Sequence, residues 1–435
     1  MKLSFLKAKE SKNAIWLISG KIVQMIFSLL VGVITARYLG PSNYGLISYG
    51  KALIGFFTSF CTLGINSVIV KDFFDNPDEQ GKTLGSAVMM RVISSLFSAV
   101  AVTCISFFLD YGDWETICVV ALCGISLIFH AFDSINYWFQ SQYKSKVTAI
   151  ATFLAYVATS VYKIVLLILK KNVLWFAFAS SVDYIVFAII ILIAYRVHHG
   201  QKLSFSFENG KRLLSKSYHY ILSGMMVAIY GHTDKFMLKQ MLGEAEVGYY
   251  ATAVGICAMW TFVLSAIIDA MYPTIIQSFK QNKELFEQRN RQLYAMVFYI
   301  TVFVSVCFVL FGNWGVRLLY GEEFMPAAAP LKVITWYTAF SYFGVARNAW
   351  MVCNEKQKYL KYMYIAAAAA NVVLNLIFIP LWGPVGAAFA SLITQIATSI
   401  LLPYCIKDLR PNARLMLEAI MLKGVFPKKK QESKI

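Results

Sequence analysis

Apolar residues run through this chain in stretches of about twenty, separated by short polar connections. Each stretch is long enough to cross the roughly 30 Å hydrocarbon slab of a bilayer as a helix. Twelve spans can be drawn, at 13–35, 46–70, 84–109, 115–139, 147–169, 174–195, 218–242, 248–276, 293–312, 331–352, 360–380 and 385–406. The sequence lacks the ten-residue alternating segments of a membrane barrel, so the pattern predicts an all-α polytopic membrane protein.

The connections repeat as well as the spans. LGPSNYG at 39–45 returns as LGEAEVG at 242–248, and Tyr111-Gly112 returns as Tyr320-Gly321. Asn136, Trp138, Lys144 and Lys146 return as Asn348, Trp350, Lys356 and Lys358, and AFAS at 177–180 returns at 388–391. The matches keep their order and fall at equivalent points of spans 1–6 and 7–12. Six is even, so spans 1 and 7 run the same way, and the halves are parallel repeats about a pseudo-two-fold axis along the membrane normal. The predicted architecture is two six-helix bundles with a central cleft. An N-terminal lobe covers 1–203, a cytoplasmic inter-lobe linker 204–217, a C-terminal lobe 218–406 and a basic cytoplasmic tail 407–435.

Composition agrees: of 435 residues 58% are apolar and 14% charged, where a soluble domain carries about a quarter charged residues. The net charge is +17, and its placement carries the information. Lys and Arg gather at the N-terminus, in the even-numbered connections and in the tail, whereas the odd-numbered connections hold only Arg37, Lys170, Lys171 and Arg317. That bias places both termini in the cytoplasm. The basic charge is therefore topological, and its scatter over seven segments argues against a nucleic-acid partner. PKKK at 427–430 reads as a solvated end that can touch anionic lipid. The eight cysteines show no ligand spacing and read as packing residues, so no metal or cofactor is expected. The first span has no small-residue cleavage site and is expected to stay in place as an anchor.

Polar positions inside the spans mark candidate chemistry. In span 2, Ser48, Lys51, Thr58, Thr62 and Asn66 recur at steps of three, four and seven, one face of a helix. Lys21, Gln24 and Ser28 do the same in span 1. Small and hydroxyl residues also serve tight helix packing. An intramembrane charge is different, because it costs roughly 2.5–3.5 kcal/mol near the bilayer centre and needs water or a partner. Lys21, Lys51, Arg91, Lys163 and Lys235 are the candidate cationic lining of a cleft, with His130 and Asp133 as further polar lining. Lys239, Lys332 and Arg347 sit near span ends and can snorkel. In GHTDKFMLKQMLG at 231–243, Asp234 lies too deep to snorkel and needs water or a partner, and Asp269 is the second candidate for loading an ion. His232 reads as a hydrogen-bonded packing residue.

Four segments carry a family resemblance: ITARYLGPSNYGLISYGKAL at 34–53, NYWFQSQYKSK at 136–146, TDKFMLKQMLGEAEVGYYATA at 233–253 and WGPVGAAFASLITQ at 382–395. With these the chain resembles, over nearly its whole length, the polysaccharide-type flippases (O-antigen transporters) of the multidrug/oligosaccharidyl-lipid/polysaccharide exporter superfamily. The resemblance implies twelve helices in two lobes and alternating access, in the inner membrane of a bacterium. The implied cargo is an undecaprenyl-pyrophosphate-linked oligosaccharide moved from the cytoplasmic to the periplasmic leaflet. A polysaccharide polymerase with its chain-length machinery would be a downstream partner. The residues suit such a cargo: basic side chains outnumber acidic ones inside the spans, and Lys21, Lys51 and Arg91 are expected to contact the diphosphate or the sugar. Coupling to H⁺ or Na⁺ through Asp234 or Asp269 competes with passive exchange. The rivals within the superfamily are a multidrug/cation antiporter, which calls for carboxylates, and a peptidoglycan-precursor flippase, which often has two more helices. A membrane glycan polymerase or ligase needs a large outward loop with catalytic residues, and the longest here is about 18 residues. The sequence shows no D-x-D, Walker or G-x-G-x-x-G motif and no Ser/His/Asp set, so no enzyme is expected.

Overall fold

Left-handed backbone turns punctuate the helices, and they recur in both halves. In the computed structural model residues 9–426 are described, with side chains from residue 27 onward except 28 and 67. Gly40 has φ 71° and Gly243 has φ 107°, so both L-G pairs of the repeated motif break the chain where only glycine is unstrained. Pro41 follows Gly40, its fixed φ suited to a helix start. Gly112 and Gly321 (φ 90° and 91°), Tyr143 and Glu355 (φ 55° and 56°), and Lys170 and Gly383 (φ 50° and 57°) are the further pairs. The repeat read from the letters is thus a repeat of backbone turns.

The chain is all-α among the described residues and divides into two compact units at His232/Thr233. The first unit holds α1 (Lys9–Thr62), which runs through both first spans across Gly40, α2 (Asn66–Asp75), α3 (Gln80–Leu109), α4 (Trp114–His130), α5 (Ser134–Ser141), α6 (Ser145–Ile168), α7 (Val173–Val197) and most of α8 (Phe207–Leu242). The second holds the end of α8, α9 (Glu244–Ala258), α10 (Thr261–Gln281), α11 (Lys283–Tyr320), α12 (Ala328–Ala346), α13 (Asn348–Cys353), α14 (Leu360–Trp382), α15 (Pro384–Ile396), α16 (Leu402–Cys405) and α17 (Arg410–Ile420). Eight of the helical segments are long and apolar enough to cross a membrane by length and composition.

Three findings differ from the sequence reading. Spans 2, 4, 8 and 10 are interrupted, at Leu63–Ile65, Ala131–Asp133, Met259–Trp260 and Arg347, and span 12 passes through a π-helical segment at Ala397–Leu401. A hydropathy window averages over such breaks. Residues 207–217 form the first turns of α8 instead of a linker, clamped to the first unit where Asp72 accepts from Arg212 (2.9 Å) and Lys216 (3.3 Å). Residues 410–420 are a docked amphipathic helix, with Leu415, Met416 and Ala419 in the core of the second unit. PKKK at 427–430 lies outside the described residues.

The first unit has two hydrophobic clusters. One joins α1, α4, α6 and α7 through residues such as Ile54, Cys61, Leu127, Leu166 and Phe176. The other joins α2, α3, α5 and α7 through Ile69, Phe73, Leu84, Phe139 and Ile191. In span 2 the boundary falls between Cys61 and Ile65, and in span 4 between Leu127 and Ile135, at the two breaks.

Candidate functional site

In the first unit α1, α6, α7 and α8 surround a cavity of about 430 Å³. Lys51 enters from α1, Thr159 and Lys163 from α6, Asp183 and Tyr184 from α7 and His232 from α8. These are polar positions on helices otherwise built for lipid or core. Lys51 is exposed and Lys163 half-buried. Among the described residues neither lysine forms an ion pair. Asp183 accepts a hydrogen bond from Thr159 Oγ1 at 3.3 Å. Gly55 makes room for the imidazole: a Cβ there would stand 2.2 Å from His232 Nε2. Tyr156 and Tyr184 add aromatic walls and Thr58 a hydroxyl. Two ammonium groups against one carboxylate leave the chamber with surplus positive charge. Such a lining can offer charge-assisted hydrogen bonds to an anion, with ring faces and hydroxyls beside them.

The second unit builds a site of the opposite kind around Asp234, which is 8% exposed. Asn375 Nδ2 donates to Asp234 Oδ1 at 2.7 Å, and Ser391 Oγ and Tyr250 Oη donate to Oδ2 at 2.6 and 2.5 Å. Asn371 links to both neighbours, accepting from Asn375 at 3.1 Å and donating to Ser391 at 3.3 Å. Two buried oxygens, Asn375 Oδ1 and Thr394 Oγ1, have no hydrogen-bond partner. A buried carboxylate whose donor amide, Asn375, keeps an unclaimed oxygen can take a proton or a small monovalent cation. The described residues contain no group of three His, Cys, Asp or Glu that could hold a metal ion.

The other expected site residues fall elsewhere. Arg91 does not reach the cavity: it is fully buried on α3, bound to Asn66, Ser134 and His130. Asn66 and His130 are thereby its partners, and Asp133 sits in the turn beside them. Ser48, Thr58 and Thr62 donate to backbone carbonyls of their own helix, which is the packing role of a hydroxyl, although Thr58 also lines the cavity. Lys235 is half-buried on the second unit's end of α8, and Asp269 is exposed on α10. The side chains of Lys21, Gln24 and Ser28 lie outside the described residues. Sequence reasoning missed Asn371, Asn375, Ser391 and Tyr250. The signal was there, since AAAAANVVLNLIF places two amides four residues apart on one face of an apolar helix.

Known proteins share this fold. The chain is similar to "Lipid II flippase MurJ, inward closed conformation", with a TM-score of 0.71 at 14% identity over 94% of this chain and 91% of that one. It is 22% identical to the "Putative O-antigen transporter" of Escherichia coli (strain K12), over 90% of this chain and 96% of that protein. It is 23% identical to the "Probable low-salt glycan biosynthesis flippase Agl15" of Haloferax volcanii, over 45% of this chain and 42% of that one. Residues 11–279, more than half of the sequence, match the family described as "Polysaccharide biosynthesis protein", and the chain belongs to that family.

Proposed function

We propose that the protein is a flippase. It carries undecaprenyl-pyrophosphate-linked oligosaccharide repeat units, of O-antigen or a related surface polysaccharide, from the cytoplasmic to the periplasmic leaflet of a bacterial inner membrane by alternating access. Both termini lie in the cytoplasm, a polymerase takes the product, and the chain performs no bond chemistry of its own. The observation that carries this reading is the pair of unpaired lysines, Lys51 and Lys163, in one cavity of a membrane lobe.

A pyrophosphate head cannot cross hydrocarbon bare, because transferring an unpaired charge costs many kcal/mol. Lys51 and Lys163 replace part of its hydration with charge-assisted hydrogen bonds, each worth about 1.5–3 kcal/mol. Tyr156 and Tyr184 offer ring faces to sugars, and Thr58 offers a hydroxyl. The names of the O-antigen transporter and flippase relatives support the same cargo class.

Ion coupling belongs to Asp234. It is buried, tied to three donors and next to unclaimed oxygens, whereas Asp269 is exposed. Taking up H⁺ or Na⁺ at Asp234 would reorganise the amide–hydroxyl network that joins α8, α14 and α15. Differential affinity of the ion for two such arrangements is what lets a gradient bias transport.

The test is a strain lacking the protein. The lipid-linked oligosaccharide pool should swell on the cytoplasmic face, and the restored gene should empty it. Unpolymerised single repeat units on the cell surface of that strain would instead indicate a polymerase and overturn the reading.

A further inference from the structure

Arg91 is among the largest fully buried side chains of the described residues, and it lies at the junction of two broken spans. The break in span 2 follows from Leu63 and Gly64, both left-handed at φ 50° and 62°. Two hydroxyls add donors to the carbonyls around it, and the Phe60 carbonyl also accepts from Leu63 N at 3.2 Å. Ser94 Oγ of α3 donates to the Phe60 carbonyl at 2.7 Å, and Ser217 Oγ of α8 donates to the Leu63 carbonyl at 2.8 Å. Gly64 is required there, since a Cβ would stand 2.6 Å from the Ser217 carbonyl oxygen.

One turn from Ser94, Arg91 closes the other side of the break. Its Nη1 donates to Asn66 Oδ1 at 3.0 Å, at the first residue of α2, and to Ser134 Oγ at 2.8 Å, at the first residue of α5. Its Nη2 donates to the His130 carbonyl at 2.9 Å, the last residue of α4, and lies 3.1 Å from His130 Nδ1. The guanidinium thus touches three ends of two interrupted helices at once. No carboxylate is hydrogen-bonded to it among the described residues. The His130 ring lies against Tyr184, tilted, with ring centroids 5.2 Å apart, and Tyr184 lines the basic cavity. The layer also divides the two hydrophobic clusters of the unit.

We infer that Arg91 is a positioning residue. It is a pin that holds the breaks of spans 2 and 4 at one angle and, through His130, sets the Tyr184 wall of the cavity; it is not a ligand of the cargo. Its planar fork is what the role demands, because a lysine keeps the charge but cannot span three helix ends. Arg347 repeats the device in the second unit: 4% exposed, it sits at the break between α12 and α13 and donates to the Thr398 carbonyl in the π-helical segment at 3.2 Å.

The transport arm of the test rests on the proposed function, and the labelling arm does not. Cys61, 1% exposed in the last turn before the break, is the probe, in a chain whose other cysteines are replaced by alanine. Membranes are treated with N-ethylmaleimide. Arg91→Lys should raise Cys61 labelling at least fivefold and cut export of the glycan at least tenfold. Lys51→Ala should cut export and leave Cys61 unlabelled. Should Arg91→Lys be degraded, the Asn66→Ala/Ser94→Ala chain keeps the arginine and carries the test, with the same rise in labelling expected. Export near the wild-type rate with Cys61 still protected, in whichever of these chains accumulates, would overturn the inference. Raised labelling in a protein that exports no glycan even as wild type would uphold the pin and count against the flippase reading alone.

Discussion

The two lobes place polar groups at the same register and make opposite sites from them. Counted 212 residues on, Thr159 and Lys163 of the first lobe correspond to Asn371 and Asn375 of the second, and Ser180 corresponds to Ser391 at an offset of 211. In the first lobe these positions border an open chamber of about 430 Å³ with surplus positive charge. In the second they close around a buried carboxylate, each amide and hydroxyl aimed at Asp234 or at a neighbour that holds it. On the proposed reading, the duplicated scaffold separates two tasks. Long basic side chains suit one site to an anionic head group, and short amides around a buried carboxylate suit the other to an ion.

The contrast can be broken most strongly at the lysines. Lys51→Ala with Lys163→Ala should lower glycan export by about 100-fold at normal protein abundance, as two charge-assisted contacts of at least about 1.5 kcal/mol each require. Surface glycan and the cytoplasmic lipid-linked pool measure it. Asp234→Asn should cost about tenfold in gradient-driven translocation, and the residual rate in proteoliposomes should ignore an imposed pH or Na⁺ gradient. Asn375→Lys installs the first lobe's residue in the second lobe. Its ammonium should stand in for the bound cation beside Asp234, so that the gradient response disappears while part of the ungraded rate survives.

The smallest effects lie at two carboxylates near helix ends, Asp72 and Asp408. Asp72 is 1% exposed and accepts from Arg212, Lys216 and Thr83, so Asp72→Asn should lower stability by about 1–3 kcal/mol, seen as a lower melting temperature in detergent. Asp408 of the second unit is only half-buried. The hydrogen bond from Lys356 at 2.8 Å, with a second from Tyr359, holds its carboxyl below the usual carboxylate range. A depressed folded value means that the contribution is present above the unfolded carboxylate pKa, about 4, and is lost as pH falls through the folded one. The difference in melting temperature between wild type and Asp408→Asn should therefore be small at neutral pH and vanish on acidification.

Much of this was legible in the letters. The spans follow from hydropathy, and the duplication from matched L-G and Y-G pairs, because a left-handed turn can be met cheaply only by glycine. Lys51, Lys163 and Asp234 stood out because a charge in an apolar run needs a reason. The partners did not stand out. Asn371 and Asn375 look like ordinary packing amides until Asp234, more than 130 residues earlier, is brought to them. Arg91 was read as a cavity residue, since sequence gives its depth and charge but not the helix ends it faces. The breaks in spans 2 and 4 were hidden because Leu63 and Ala131 are apolar, and a break costs a hydropathy plot nothing.

The most direct measurement is the affinity of the purified protein for undecaprenyl-diphosphate-linked oligosaccharide in nanodiscs, for wild type, Lys51→Ala/Lys163→Ala and Asp234→Asn. The two-lobe division of labour predicts that the lysine variant binds about 100-fold more weakly and that Asp234→Asn stays within about twofold. Equal affinity in the wild type and the lysine variant would contradict it.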